Sequence, residues 1–383
     1  MFAFGDKNKF IGLDIGHSHL SAVRIKNNTV VEVGEYPLAR GIIDKGQVKD
    51  VASLAETIKR FWSDMGLKSK KVQFSICTPK AVVTLLNTPI LDSEDELRQV
   101  VRFNIADRLS YDAEEAVIDY TVAEDEAVIR DRNRLIVAAA PKSVVNGYIA
   151  AVRRAKLDIV GIQLIPFVLP QSVKTSDQGA GQDSIDIICH MGSDITSIGI
   201  VHKRDCLFAR FSTMAGQTIT DKIQEGIKVP IEEAERLKCA LGLSETPKDD
   251  KESKAQSITS GMVDTLGQEI HETVAYYQEQ EENTSYPVAQ LILSGGGAYL
   301  KGLPQYLEAI LGTPVRLAEP KADLAVHEQE YYGRWALAYG LSRSYKALEG
   351  GNKVQGRAKK EKKGKSDFFS FKIGGKSLGR EKS

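Results

Sequence analysis

The sequence predicts an α/β protein made of two related halves, with a small α+β unit set into the first half. Three observations carry that expectation. A three-stranded meander over residues 10–36 returns over residues 184–211, each time with a small polar turn between its first two strands. A strand-helix-strand-strand-helix-strand run occupies about eighty residues from Ala81. Finally, LILSGGGAYLKGLP, residues 291–304, drives an apolar strand into three glycines and then into a helical pattern. Recurrence of one supersecondary opening marks internal duplication, and mixed strands and helices mark a layered α/β core.

In the first half, residues 10–15 and 20–25 form a hairpin across Gly16-His17-Ser18-His19, and Asn27-Asn28 turns into a third strand over 29–36. Val51, Leu54, Ile58, Phe61, Trp62 and Met65 follow helical spacing, and Gly66 stops that helix. Residues 71–77 read as the next strand. Ser93 followed by Glu96 is a capping box for a helix with Leu97, Val100, Val101, Ile105 and Leu109 inward. Strands over 116–123 and 134–139 flank a polar loop, 124–133; a helix over 143–156 and a strand over 159–164 follow. Residues 166–174 read as a short helix and 176–183 as a linker.

In the second half, strands over 184–190 and 195–201 meet across Met191-Gly192-Ser193-Asp194, and a third covers 206–211. Helices follow over 219–227 and from Pro230 to about Leu241, Pro230 suiting a helix's first turn. The charged run 244–257 reads as a solvated loop. Met262, Leu266, Ile270, Val274 and Tyr277 form a helical stripe, and a last helix over 331–348 carries Ala336, Ala338 and Gly340 for close packing.

Lys+Arg and Asp+Glu both number 51 among 383 residues, so no global field favours nucleic acid. The balance is uneven along the chain. Residues 351–383 hold 11 Lys/Arg and 3 Asp/Glu, a net of +8, which leaves −8 on the first 350. That tail is expected to be disordered. It includes Phe368-Phe369-Ser370-Phe371-Lys372-Ile373, whose apolar residues alternate, a poor fit to an amphipathic membrane helix. Cys77, Cys189, Cys206 and Cys239 lack metal-ligand spacing, and Cys77 and Cys189 sit in apolar runs. No apolar run reaches membrane-span length, so a cytosolic protein without its own anchor is expected.

Chemistry concentrates in three glycine-containing turns: Gly16-His17-Ser18-His19, Gly192-Ser193-Asp194 with Thr196 just beyond, and Gly295-Gly296-Gly297. Turns of small residues aimed at one cleft hold phosphates through backbone N–H groups and hydroxyls. Asp14, ending the first strand, is placed to hold a phosphate-bound Mg²⁺ through water. Glu235 and Lys238, three apart, share a helix face.

IGLDIGHSHLSAVRI resembles the first phosphate motif of the actin, sugar-kinase and DnaK superfamily. CHMGSDITSIGIV stands where its second phosphate motif belongs, and LILSGGGAYLKGLP resembles its adenosine motif. Within that superfamily Glu235 and Lys238 of EEAERLK resemble a pair that reaches the ribose, and Gly216-Gln217 resembles the glycine turn before the next helix. The insert's position, its stretch VVRFNIADRLSYDAEEAVIDYTVAED and the closing RWALAYGLSRSY are similar to the PilM family of type IV pilus assembly proteins, an FtsA-like branch. The resemblance covers residues 8–348.

It implies an actin-like ATPase fold: two duplicated ribonuclease-H-like lobes with a small α+β (1C-type) insert. The first lobe would take residues 1–80 and 159–180, the insert 81–158, the second lobe 181–215 and 285–350, a helical subdomain 216–284, and the basic tail 351–383. It implies ATP and Mg as cofactors, and the N-terminal cytoplasmic peptide of PilN as partner in a groove beside the insert. Pilus motor proteins and a second copy of the chain are further partners it leaves open. Location would be cytoplasmic, at the inner membrane only through partners, in a machine that drives twitching motility. One departure stands out: His190 occupies the second phosphate motif where an acidic residue is usual. Mg²⁺ prefers carboxylate and water oxygens, so weak or absent ATP hydrolysis is expected. An FtsA-like membrane filament is the alternative. A sugar-kinase-type phosphotransferase would need a substrate domain and a catalytic aspartate, for which Asp194 and Asp221 are the nearby candidates.

Overall fold

The computed structural model describes residues 10–26, 29–91, 93–123, 132–176, 184–280, 286–320 and 332–343. Two sheets repeat one topology. In the first, β1 (Ile11–Ile15), β2 (His19–Lys26) and β3 (Thr29–Pro37) run antiparallel, while β6 (Lys71–Ile76) and β10 (Asp158–Leu164) add in parallel beside β1, giving the order β10-β6-β1-β2-β3. In the second, β11 (Ile185–Met191), β12 (Thr196–His202) and β13 (Asp205–Ser212) are antiparallel, and β14 (Val288–Ser294) and β15 (Val315–Leu317) add in parallel beside β11. The order is again fifth, fourth, first, second, third. The predicted duplication is therefore a duplication of whole sheets.

Sequence chemistry explains the depth of each strand. β11 and β12 are buried at all seven positions, as expected of central strands covered on both faces. β3 alternates exposed and half-buried residues, the mark of an edge. Helix α1 (Val51–Asp64) buries Leu54, Ala55, Ile58 and Phe61, and Asp50 caps it by accepting from the Ala52 and Ser53 amides.

The insert comprises β7 (Val82–Pro89), α2 (Glu94–Ala106), β8 (Ala116–Val122) and β9 (Arg132–Pro141). It has its own small core, with Leu97, Val101 and Ile105 of α2 against Leu135, Val137 and Ala139 of β9. Ser93 caps α2 at the Glu96 amide, as its spacing predicts. The expected insert boundary at 158 reads differently in space. Helix α3 (Lys142–Arg154) packs on α1 and the small hairpin β4 (Ile43–Asp44)–β5 (Gln47–Val48), and β10 joins the first sheet. A helix and strand that alternate with the insert's own strands cannot be assigned to one sheet by periodicity alone. The insert's sheet instead continues the second one, β13 meeting β7 at Ala209↔Val83.

Helices α5 (Gly216–Ile227), α6 (Ile231–Leu241) and α7 (Asp250–Gln280) pack together. The loop expected over 244–257 is a loop only at its start, because α7 begins at Asp250. Asp249 Oδ1 accepts from the Glu252 amide as an N-cap, and Glu252 Oε2 reaches back to accept from the Lys248 amide, so two backbone donors at the helix start are satisfied despite its charge.

Helices α4 (Ile165–Ser172) and α9 (Tyr332–Arg343) lie between the lobes, and α8 (Leu303–Leu311) follows the glycine turn through a 3₁₀ turn, Gly296–Tyr299. The sequence division puts the closing helix with the second lobe, yet α9 packs on β1, β2 and α4. A Cβ on Gly12 of β1 would come 2.1 Å from the Ala338 carbonyl oxygen, so the small-residue segment is what lets helix and strand touch. The linker over 177–183, the loop over 124–131 and the tail beyond 343 lie outside the described residues.

Candidate functional site

The two hairpin turns are built alike. The Gly16 amide donates to the His19 carbonyl at 3.0 Å and the Gly192 amide to the Ile195 carbonyl at 3.1 Å. A Cβ on either glycine would fall 2.8 or 2.7 Å from that same carbonyl oxygen, so neither position accepts a larger residue without opening the turn. Both turns face one cleft of ≈ 70 Å³, lined by Asp14, His17, Ser75, Tyr148, His190 and Asp194 among others. The amides of His17, Ser18, Ser193 and Asp194 make no backbone hydrogen bond among the described residues. His17 Nδ1 and Asp194 Oδ2 are buried polar atoms without a partner there. Buried polar groups are normally satisfied, so these point to a polar ligand or ordered water in the cleft.

Asp14, the penultimate residue of β1, lies beside the Ser75 hydroxyl. Burial pushes its carboxyl up from 3.8 to about 7, with Ser75 moderating the rise and Glu35 adding to it. The ligand-free cleft therefore holds Asp14 half-protonated at neutral pH. Cys77 and Tyr148 line the same wall, and burial pushes both well above their ordinary values.

His190 stands two residues before Gly192, as Asp14 stands two before Gly16. Burial lowers its imidazole to about 4, so it is neutral, and its Nδ1 lies 3.3 Å from Ser294 Oγ. Ser294 in turn donates to the Gly333 carbonyl, which also accepts from the Gly295 amide at 2.9 Å. The three glycines then divide. Gly295 takes φ +86° and would press a Cβ on the Met191 carbonyl at 2.4 Å; Gly297 would meet the Met191 side chain at 2.4 Å. Gly296 faces open space. Two of the three are needed for packing against β11, and only Gly296 leaves its Cβ side open.

Gly216, Gln217, Glu235 and Lys238 form an adjoining cluster. The Gly216 and Gln217 amides donate to the Gly192 and Ser193 carbonyls at 3.1 and 2.7 Å, docking the start of α5 on the second turn. Lys238 Nζ donates to the Gly216 carbonyl, Thr220 Oγ1 and Glu235 Oε2 at 2.9, 2.8 and 2.7 Å. All three ammonium donors are spent inside the protein. Burial works to raise the Glu235 carboxyl, but hydrogen bonds from Lys238 and Thr220 hold it below its ordinary value. The pair is thus brought to the site, with Lys238 engaged in holding α6 to α5.

Not every expected residue lines the cleft. Thr196 is fully buried and its hydroxyl donates to the Met214 carbonyl at 2.6 Å, so it positions the approach to α5 rather than facing a ligand. His19 is exposed, with Nδ1 3.1 Å from Ser18 Oγ. Sequence reading missed Ser75, Tyr148 and Gly46. Lys45-Gly46, with φ of 46° and 72°, form a two-residue hairpin turn that packs on Cys77, and a Lys-Gly pair between Ile43 and Val48 was the available signal.

No group of three or more His, Cys, Asp or Glu side chains converges for a metal among the described residues. A cation here would be met by Asp14 and by a ligand's own oxygens, the arrangement usual for Mg²⁺ with phosphates. Free turn amides, a cleft carboxyl and unpartnered polar atoms fit such a ligand.

A family model described as type IV pilus assembly protein PilM matches residues 12–338. A solved PilM-PilN type IV pilus biogenesis complex superposes with a TM-score of 0.74 at 22% identity, covering 87% of this chain and 97% of that one. Ethanolamine utilization protein EutJ from Carboxydothermus hydrogenoformans superposes at 0.52 with 14% identity, covering 87% and 88%. Cell division protein FtsA of Bacillus subtilis (strain 168) is 21% identical over 365 residues, 84% of this chain and 81% of that protein. At these identities the structural likenesses establish the fold, which is actin-like.

Proposed function

The chain belongs to the family of type IV pilus assembly protein PilM, and from that membership we propose that it is a nucleotide-holding scaffold of the pilus assembly machinery. The observation that carries the nucleotide half is the matched pair of glycine turns, each closed by its own N–H to carbonyl bond, facing one cleft across the two lobes. The amides of residues 17–18 and 193–194 would receive a phosphate chain. Asp14 would meet the accompanying Mg²⁺, whose charge draws the proton off that carboxyl. The open side of Gly296 would take the adenosine end, and the α5–α6 cluster would frame the ribose. Mg²⁺, when bound, neutralises phosphate charge in the cleft.

The partner half is a short peptide, the N-terminal segment of PilN, in a groove beside the insert. Our choice of groove is the wedge where β7 and β13 diverge beyond Val83↔Ala209. It is a cavity of ≈ 110 Å³ whose lining includes Thr84, Leu86, Asn87, Arg108, Phe208 and Tyr277. Arg108 donates to Thr84 there and leaves its remaining guanidinium donors for peptide carbonyls or a carboxylate. No helix of the described residues is long and apolar enough to cross a membrane, so membrane association would come through the partner.

Calorimetric titration of the chain with Mg·ATP and with a PilN N-terminal peptide tests both halves. Micromolar nucleotide binding lost in Gly192→Val, and peptide binding lost in Arg108→Ala with nucleotide binding intact, are expected. Absence of peptide binding, together with ATP-dependent polymers on liposomes, would sink the scaffold in favour of an FtsA-like filament.

A further inference from the structure

We propose that the free edge of the first sheet, at β3, is covered by this chain's own residues 368–373, added as a sixth strand. The sheet order leaves β3 bonded only to β2 among the described residues. Edge strands are ordinarily protected by charge, proline or cover, because their unpaired N–H and C=O groups invite another strand. Here that protection is partial: Glu32 is tied to Arg24 at 2.7 Å, Glu35 and Pro37 sit toward the end of β3, and apolar side chains stay exposed between and beside them. Val31 is 43% exposed, Val33 46% and Met65 41%, the last lying over Gly34 on the opposite face from Val33.

The register shows why cover stops short. Gly12 of β1 pairs with Val23 of β2, and Val23 with Val33 of β3. A Cβ at Gly12 would meet Ala338, Leu341 and Ser342, so the last turn of α9 lies on that row. The helix covers Gly12 and Val23 and leaves Val33, one strand further out. One strand spacing is about 4.8 Å, so the chain leaves α9 at Arg343 close to the exposed residues.

The chain beyond Arg343 suits that edge in length and in pattern. From Gly350 onward it is rich in lysine and glycine, and 24 residues separate Arg343 from Phe368. A coil of that length has an r.m.s. reach of roughly 27 Å, ample for one strand spacing. Phe368-Phe369-Ser370-Phe371-Lys372-Ile373 has the period-two pattern of a strand, and Gly374-Gly375 end it. With Phe369, Phe371 and Ile373 on the Val33 face, Ser370 and Lys372 fall on the face of Glu32 and the exposed Asp64. The net +8 of the tail against −8 on the rest of the chain favours the same docking.

Tethering makes a weak strand sufficient. At an effective concentration of about 1 mM, a segment with a Kd of about 0.1 mM is docked roughly ten to one. Hydrogen–deuterium exchange on the full-length chain reads this directly. Amides of residues 29–37 should exchange roughly tenfold more slowly in the wild type than in Phe369→Ser/Phe371→Ser, with β6 unchanged. Val33→Lys, which blocks the edge from the other side, should lose the same protection with the tail intact. Protection should survive tenfold dilution; protection that fades on dilution means capture of another copy's tail and overturns the intramolecular strand. Equal exchange of 29–37 in the wild type and the tail variant overturns the proposal. So does a loss of protection that spreads equally to β6.

Discussion

Replacing Asp14 by Asn should stabilise the ligand-free protein, and more so as pH rises. Burial lifts the Asp14 carboxyl from 3.8 to about 7, so the folded state binds its proton more tightly than the unfolded state does. The stability this brings is full below 3.8 and is lost as pH climbs from about 4 through 7. At 1.36 kcal/mol per pKa unit the ceiling on the total loss is about 4 kcal/mol. About 1.2 units have already been crossed by pH 5, leaving about 2.7 kcal/mol as the ceiling between pH 5 and pH 8. Asp14 is half-buried and opens on the cleft, so water recovers part of the penalty, and a gap growing by about 1–2 kcal/mol is the working figure. Asn keeps a hydrogen-bonding group beside Ser75 and removes the charge. Urea unfolding of both proteins in EDTA, at pH 5, 6, 7 and 8, measures the difference while shared titrations such as that of His190 cancel. A gap between variant and wild type that stays constant to within about 0.5 kcal/mol would refute the burial argument. The same variant should bind Mg·ATP more weakly, since the carboxylate facing the cation is gone.

Four other outcomes are expected. His190, held near 4, should make Asp14→Asn lose stability relative to Asp14→Asn/His190→Gln as pH falls from 6.5 to 4, by up to about 3 kcal/mol; parallel unfolding curves would remove that assignment. Lys238→Ala should cost about 2–3 kcal/mol, because the Gly216 carbonyl and Glu235 lose their shared ammonium; calorimetric Tm checks it. Asp249→Ala should cost about 1 kcal/mol and fray the start of α7, read from exchange of residues 250–254. Gly12→Val should lift α9 off β1 and prevent folding, whereas Gly296→Ala, which meets open space, should leave Tm unchanged and shift only nucleotide affinity.

The sequence told strands and turns apart well because this fold writes them in short, strongly contrasted segments. Gly16 and Gly192 were legible as equivalent because the same strand-turn-strand pattern surrounds each, and the structure gives them the same amide-to-carbonyl closure. What escaped was set by long-range packing. Nothing local tells α3 that it belongs on α1 rather than on the insert, or α9 that it crosses to β1. The charged start of α7 looked solvated because its capping residues, Asp249 and Glu252, lie inside a run of charges where each residue also suits a loop. In the site, Glu235 and Lys238 were visible as a helix-face pair, but their mutual satisfaction through Thr220 depends on α5, fifteen or more residues away.

The duplication also explains why this cleft should hold nucleotide better than it hydrolyses it. Asp14 and His190 occupy equivalent places, each two residues before its turn glycine, on strands of identical topology. Burial acts on both and drives both toward neutrality, raising the acid to about 7 and lowering the base to about 4. A cation can reverse this for Asp14, because a carboxylate gains from its charge. It cannot make His190 a hard-oxygen ligand. An imidazole of pKa about 4 is also a weak general base at neutral pH, well below the value that best matches proton abstraction there. On the proposed reading one wall would answer to bound nucleotide and the other would stay inert. Installing a carboxylate by His190→Asp is the change that should raise phosphate release above the wild-type rate, and wild-type turnover that is already robust would overturn this account of the second wall.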